Sequence, residues 1–154
     1  MVELVEPSGA NETEGRTRRV VMTTIDCRYT GDLHCEAIHG PSGRQLHTDA
    51  PPDHDGLGES FSPTDLLATS LGTCVLTVMG ITAKRRQWDV RGATARVEKR
   101  MTQSGPRKIE GLRLHVHLPE HCTPDQRRLL MRMADECPVK RNLEHALTIE
   151  LIWT

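Results

Sequence analysis

The apolar positions of this chain change their spacing several times, and each change predicts a new element. Val20–Cys27 is rich in β-branched residues and predicts a strand. Leu33–Ile38 and Gln45–Thr48 flank Gly40-Pro41-Ser42-Gly43, a turn signal, and predict a hairpin. Ala50–Gly58 is crowded with Pro, Asp and Gly and predicts a loop. Trp88–Thr102 has Val90, Ala93, Ala95 and Val97 at near-alternate positions, a strand pattern with a slip of phase. In Gly111–Pro119 the alternation is clean: Leu112, Leu114, Val116 and Leu118 face one way, Arg113, His115 and His117 the other. Ala146–Trp153 predicts a terminal strand.

Two helix starts are written out in full. Ser62 is an N-cap, Pro63 takes the first helical position, and Asp65 stands where a capping box has its carboxylate. This helix is predicted to run to about Arg86. Within it, Leu66–Ala83 is 18 residues without a charge, which meets the length of a membrane span. Thr69, Ser70, Gly72, Thr73, Thr77 and Thr82 make it only moderately apolar, so a central helix surrounded by protein is the better reading and no membrane is expected. Thr123-Pro124-Asp125-Gln126 opens a second helix, with Leu129, Leu130, Met133 and Ala134 at helical spacing. Pro138 interrupts it, and Val139–His145 gives a short further turn or helix. Strands, long helix, strands, helix, strand is an α+β order. Met1–Arg19 is polar and aperiodic and predicts a mobile tail, leaving 20–154 as a single domain.

The 154 residues suffice for one core without metal or disulfide staples. Net charge is −1, with both signs dispersed, and aromatic residues are few. That excludes the clustered basic face and the stacking platforms of a nucleic-acid binder. With Glu3, Glu6, Glu12 and Glu14 near the start and no basic opening or long apolar run, no signal peptide is expected. Five unevenly spaced cysteines then point to reduced thiols in a cytoplasmic protein rather than a disulfide framework.

Two of those cysteines have specific settings. On a helix, Cys74 has Ser70, Leu71, Thr77 and Val78 as neighbours and Leu67 two turns back. Leu67, Leu71 and Val78 would suit an alkyl substituent. Apolar surroundings oppose a thiolate, and the helix start is about three turns away. A reactive Cys74 therefore needs a cation from elsewhere, and a plain core cysteine would show the same pattern. Cys137, in Glu-Cys-Pro-Val-Lys-Arg, follows a helix C-terminus, where the dipole opposes a thiolate and Lys140 and Arg141 could offset it. It too can be read as core. Cys27, Cys35 and Cys122 have no comparable setting and read as structural. His115, His117 and His121-Cys122 complete no tetrahedral metal set by motif spacing, and no GxSxG elbow is present. No metal and no cofactor are expected.

The segments Ser-Pro-Thr-Asp-Leu-Leu-Ala-Thr-Ser-Leu-Gly-Thr-Cys (62–74) and Glu-Cys-Pro-Val (136–139), with a separation of 63 between the two cysteines, resemble the OsmC/Ohr family. These are the osmotically inducible protein C and organic hydroperoxide resistance proteins, and the resemblance covers about Ile25 to Thr154. It implies an OsmC-like fold: antiparallel sheets around a long central helix, in an intertwined homodimer with its sites at the subunit interface. It also implies a thiol peroxidase of oxidative-stress defence. Cys74 would attack the O–O bond of an organic hydroperoxide and become a sulfenic acid, and Cys137 would condense with it to a disulfide. A dithiol reductant, lipoyl-type in the family, would reset the pair. Peroxidases of the family have a Glu after the Pro that opens the central helix, where this chain has Thr64 and then Asp65. Asp65 would either replace that carboxylate, holding an activating arginine, or only cap the helix. Arg44 is the nearest match to that arginine, offset by a residue or two. After the peroxidase, the alternatives are a redox-sensitive binding protein for small apolar ligands, or a stress-induced dimer with structural cysteines.

Overall fold

The computed structural model describes residues 22–154. The expected tail, 1–19, and the first two residues of the expected strand Val20–Cys27 lie outside them. Within the described residues that strand starts later and runs further, as β1 (Ile25–Gly31). It turns directly into β2 (His34–His39) through Asp32 and Leu33, both at positive φ, 46° and 63°. That is the left-handed geometry of a two-residue hairpin. Neither residue is a glycine or asparagine, and no turn was expected here, although Gly31, at φ 108°, precedes them. The expected hairpin is present: β3 (Arg44–Asp49) pairs antiparallel with β2, and Gly43, at φ 65°, closes the turn with its amide 2.8 Å from the His39 carbonyl.

After a short 3-10 turn, Pro52–His54, the chain enters α1 (Pro63–Arg85). The capping box is complete. The Asp65 amide donates to Ser62 Oγ at 3.2 Å and the Ser62 amide donates to Asp65 Oδ2 at 2.9 Å. The strand expected over Trp88–Thr102 is only β4 (Thr94–Met101). Its first six residues turn instead, because Asp89 accepts the Arg91 amide at 2.9 Å and Gly92 takes φ 91°. The phase slip in the sequence marked that boundary. β5 (Ile109–His117) pairs antiparallel with β4. α2 (Pro124–Ala134) and α3 (Pro138–Leu143) then cross over, and β6 (Thr148–Trp153) joins β5 in parallel. The class is α+β as expected, but the second sheet is mixed rather than antiparallel.

The core lies between α1, β5 and α2. Leu71, Val75 and Met79 of α1 meet Leu112, Leu114 and Val116 of β5, Leu118, and Leu130 and Ala134 of α2, all nearly or wholly buried. Gly72 sets the approach of α1 to β4: a Cβ there would stand 2.9 Å from a Val97 methyl carbon. α1 has the length and apolarity of a membrane span, and in this fold its apolar face is the centre of that core. The sheet β1–β2–β3 contributes no residue to this core. Its links to the rest include the Asp49 amide to the Phe61 carbonyl at 3.2 Å and Ser60 Oγ to the His47 carbonyl at 2.9 Å.

Candidate active site: a thiol pair between two helices

α1 carries Cys74 half-buried on the flank of the core. Cys137 reaches the same place from the other end of the chain. α2 stops at Ala134, and Pro138 cannot extend it because its ring and missing N–H break the ladder. The proline instead opens α3 at its first position, which leaves Cys137 in the corner as the N-cap of α3, with φ −59° and ψ 120°. There it is fully buried in the same core cluster against which Cys74 packs. All five cysteines are free thiols.

Burial is the first reason that the Cys137 thiol is pushed up from its ordinary range, and neighbouring Cys74 is the second. The amides of Val139 and Lys140, at the start of α3, pull the other way and lose. The sequence placed Cys137 at a helix C-terminus; it is a corner that also faces a helix N-terminus. The two cations expected to help it are engaged elsewhere. Lys140 lies 3.4 Å from Asp135 and 2.8 Å from Glu144, and Arg141 pairs with Glu136. Cys137 is thus a buried thiol that holds its proton more tightly than a free cysteine.

Asp65 both caps and pairs. Its Oδ2 accepts from the Ser62 amide and hydroxyl, and its Oδ1 sits 2.6 Å from Lys99 Nζ, which also donates to Thr64 Oγ1 at 2.7 Å. Burial alone would raise the carboxyl, but the hydrogen bonds from Lys99 and Ser62 together hold it down at about 2. Both oxygens are therefore occupied without an arginine. Lys99 escaped the sequence reading. Its signal was there, since it falls in phase with Ala95, Val97 and Met101 on the inward face of β4. Arg44 is exposed at the first position of β3 and makes no ion pair among the described residues. Leu71 is wholly buried in the core, whereas Leu67 and Val78 keep part of their surface. Cys27 is exposed, Cys35 half-buried and Cys122 buried.

On the β4 side of α1 runs an open groove of about 840 Å³. Phe61, Ala68, Gly72, Leu76 and Val97 give it an apolar floor, and the Asp65–Lys99 pair a charged end. Cys74 is not part of its lining.

Residues 56–152, a span that takes in both cysteines, match the family of OsmC-like proteins. The chain is similar to a solved structure from Psychrobacter arcticus 273-4 described as an osmotic stress induced and detoxification response protein, at 36% identity and a TM-score of 0.80 over 89% of this chain and 99% of that one. An organic hydroperoxide resistance protein OsmC from Legionella pneumophila superposes with a TM-score of 0.71 at 16% identity, covering 89% of this chain and 99% of that one. For OhrB of Bacillus subtilis the TM-score is 0.65 at 16% identity, over 87% and 98% of the two chains. The last two likenesses show the fold alone. No curated protein matches the chain. A capped central helix carrying one cysteine, a proline corner carrying the other, and a match across the span that joins them make this chain a member of the OsmC-like family.

Proposed function

We propose that the chain is a thiol-dependent peroxidase for organic hydroperoxides, working through Cys74 and Cys137 in defence against oxidative stress. The observation that carries this reading is that two thiols, 63 positions apart in sequence, belong to one core cluster, Cys137 wholly buried within it and Cys74 half-buried on its flank. In the first step the Cys74 thiolate attacks the distal oxygen of ROOH. The O–O bond breaks, RO⁻ leaves and takes a proton to give ROH, and Cys74 becomes a sulfenic acid. In the second, Cys137 attacks that sulfur, and the hydroxyl departs as water while the disulfide forms. A small dithiol, of lipoyl type, then reduces the disulfide by two exchange steps and is itself oxidised. The names of the Legionella and Bacillus proteins support the substrate class.

The thiolate needs a cation, and Lys140 and Arg141 are already paired within the chain. We assign that part to a second copy. The first sheet leaves Ile25, Tyr29 and Leu46 exposed, and α1 leaves Ile81 exposed. Covering these surfaces with each other's copies would form the homodimer and carry the Arg44 hairpin over a partner's helix.

Consumption of cumene hydroperoxide with dihydrolipoamide tests the proposal. Turnover should vanish in Cys74→Ser. Cys137→Ser should give one round and then overoxidise, and peroxide-treated wild type should yield a Cys74–Cys137 linked peptide by mass spectrometry. Wild-type protein that consumes no hydroperoxide while remaining folded and dimeric would refute it. The alternative is a binding protein for small apolar ligands, favoured by the groove, which needs no thiol in its lining. An apolar fluorophore bound equally by wild type and Cys74→Ser would select that reading.

A further inference from the structure

We propose that His34, Asp49 and Glu59 form a binding site for one divalent first-row metal ion, of the zinc or cobalt type. No motif spacing announces these residues. The β-ladder and a loop bring them together. His34 stands directly opposite Asp49 in the β2–β3 ladder. The loop after β3 returns Glu59 to the same spot, where its amide donates to Asp49 Oδ2 at 2.9 Å. The three donor atoms lie within 4.8 Å of one another.

Two observations point to an ion rather than to a chance grouping of charge. The first is Asp49. Its side chain is wholly buried, and its second oxygen, Oδ1, has no hydrogen-bond partner among the described residues. A buried carboxylate oxygen left unpaired is costly. It lies 3.7 Å from His34 Nε2, too far for a hydrogen bond. The second is the imidazole. His34 Nδ1 is 2.7 Å from the Asp32 carbonyl oxygen. A carbonyl can only accept, so Nδ1 carries the proton, and in the neutral ring Nε2 keeps its lone pair. Nε2 faces two carboxylates, with Glu59 Oε2 at 3.3 Å. A histidine fixed by a backbone carbonyl on one nitrogen, with the other turned to oxygen donors, is the arrangement of a metal ligand.

The spacing agrees. Bonds of about 2.0–2.1 Å in a tetrahedral site put neighbouring ligand atoms roughly 3.3 Å apart. The two histidine–carboxylate distances are 3.3 and 3.7 Å. One imidazole and two carboxylates suit zinc, cobalt or manganese better than copper(I) or calcium. Three protein donors leave one position open, and His34 and Glu59 keep it in reach of water. Glu59 also edges the groove beside α1. An ion here would tie β2, β3 and the loop leading to Ser62 into one unit.

The test uses the full chain, stripped with chelator, in which Cys27, Cys35, Cys74 and Cys137 are all serine, since thiolates compete for zinc. Calorimetric titration with zinc chloride should show one ion per chain and a rise in Tm. His34→Gln and Glu59→Gln, both at exposed or half-exposed positions, should each weaken binding at least ~10-fold. Their metal-free melting should match the parent, which separates loss of a ligand from loss of fold. Cobalt added in place of zinc should give d–d bands without sulfur charge transfer. Absence of one-to-one binding, equal affinity in parent and His34→Gln, or a cobalt–sulfur band would overturn the proposal. The cluster would then be a protonated histidine between two carboxylates.

Discussion

Among the described residues, the two sheets are equal in strand number and opposite in what holds them. The inward residues of the second, Leu112, Leu114 and Val116, are at most 2% exposed and press on α1. In the first sheet the buried side chains are Glu36, Thr48 and Asp49, while Ile25 and Tyr29 are more than 60% exposed. The second sheet is held by hydrophobic burial. The first has its ladder and polar pairs such as Arg28–Glu36 at 2.6 Å. A three-stranded sheet needs a hydrophobic face packed on something to stand alone. The difference teaches that one half of the fold covers its apolar face within the chain while the other leaves Ile25, Tyr29 and Leu46 open, the surface that the proposed dimer would cover.

The sharpest contrast is between two leucines. Leu114→Ala should cost about 3–4 kcal/mol, as expected for a fully buried leucine. Leu46→Ala, at an exposed position of β3, should cost under ~0.5 kcal/mol in a monomer. Denaturant melts at two protein concentrations decide the comparison. If Leu46→Ala matters more as concentration rises, the first sheet is covered by a second copy. If neither variant depends on concentration, that half stands uncovered.

Next in size is Gly56→Ala, in the connection between the two halves. A Cβ there would fall 1.7 Å from the Ala50 carbonyl oxygen, a backbone atom that cannot swing aside. A loss of about 1–3 kcal/mol is expected. Limited proteolysis should then cut within 50–61, with hydrogen exchange in β5 unchanged. Faster exchange in β5 as well would mean that the two halves are one cooperative unit.

Smaller still is the pair that ties α1 to β4. Asp65 is held at about 2, below the roughly 3.9 of an unfolded aspartate. Its contribution is therefore fully present above about pH 4 and is lost as pH falls towards 2. Half-exposed as it is, solvent limits it to at most ~1 kcal/mol. Lys99→Met should flatten the acid limb of the stability curve between pH 2 and 4. An unchanged limb would show that Ser62 alone holds the carboxylate.

The finest effect concerns Cys137. Its thiol is raised by burial first and by Cys74 second, so its alkylation midpoint should lie above the ~8.5 of free cysteine. Cys74→Ala should bring the midpoint only part of the way back. A full return would mean that burial is not the larger cause.

What could be read beforehand was local. Ser62 and Thr123 announce their helices because a cap, a proline and an N3 acceptor lie within four residues of sequence. The strict alternation of Leu112, Leu114 and Val116 marked the buried face of β5. The two cysteines were legible through their flanking segments. Their pairing was expected only through the family resemblance, since no local pattern shows how α3 docks. Lys99 showed its inward phase but not its purpose, because a charge at an inward strand position makes sense only with Asp65 and Thr64 beside it. His34, Asp49 and Glu59 were hidden because ladder register, not spacing, puts them together.

The parallel pairing of β6 with β5 carries a kinetic consequence. Parallel strands cannot be joined by a hairpin, so β6 can add to the sheet only after the chain has travelled back along it. Here that return is α2, the Cys137 corner and α3. Contacts between segments far apart in sequence form late, because the loop they close must be ordered first. During synthesis α1 therefore leaves the ribosome well before its partner thiol exists. Until the crossover docks, Cys74 is a lone thiol on an uncovered helix, with Cys27 and Cys35 already made and free to mispair. Oxidant during refolding should thus trap wrong disulfides, and the same oxidant after folding should find Cys137 already in place.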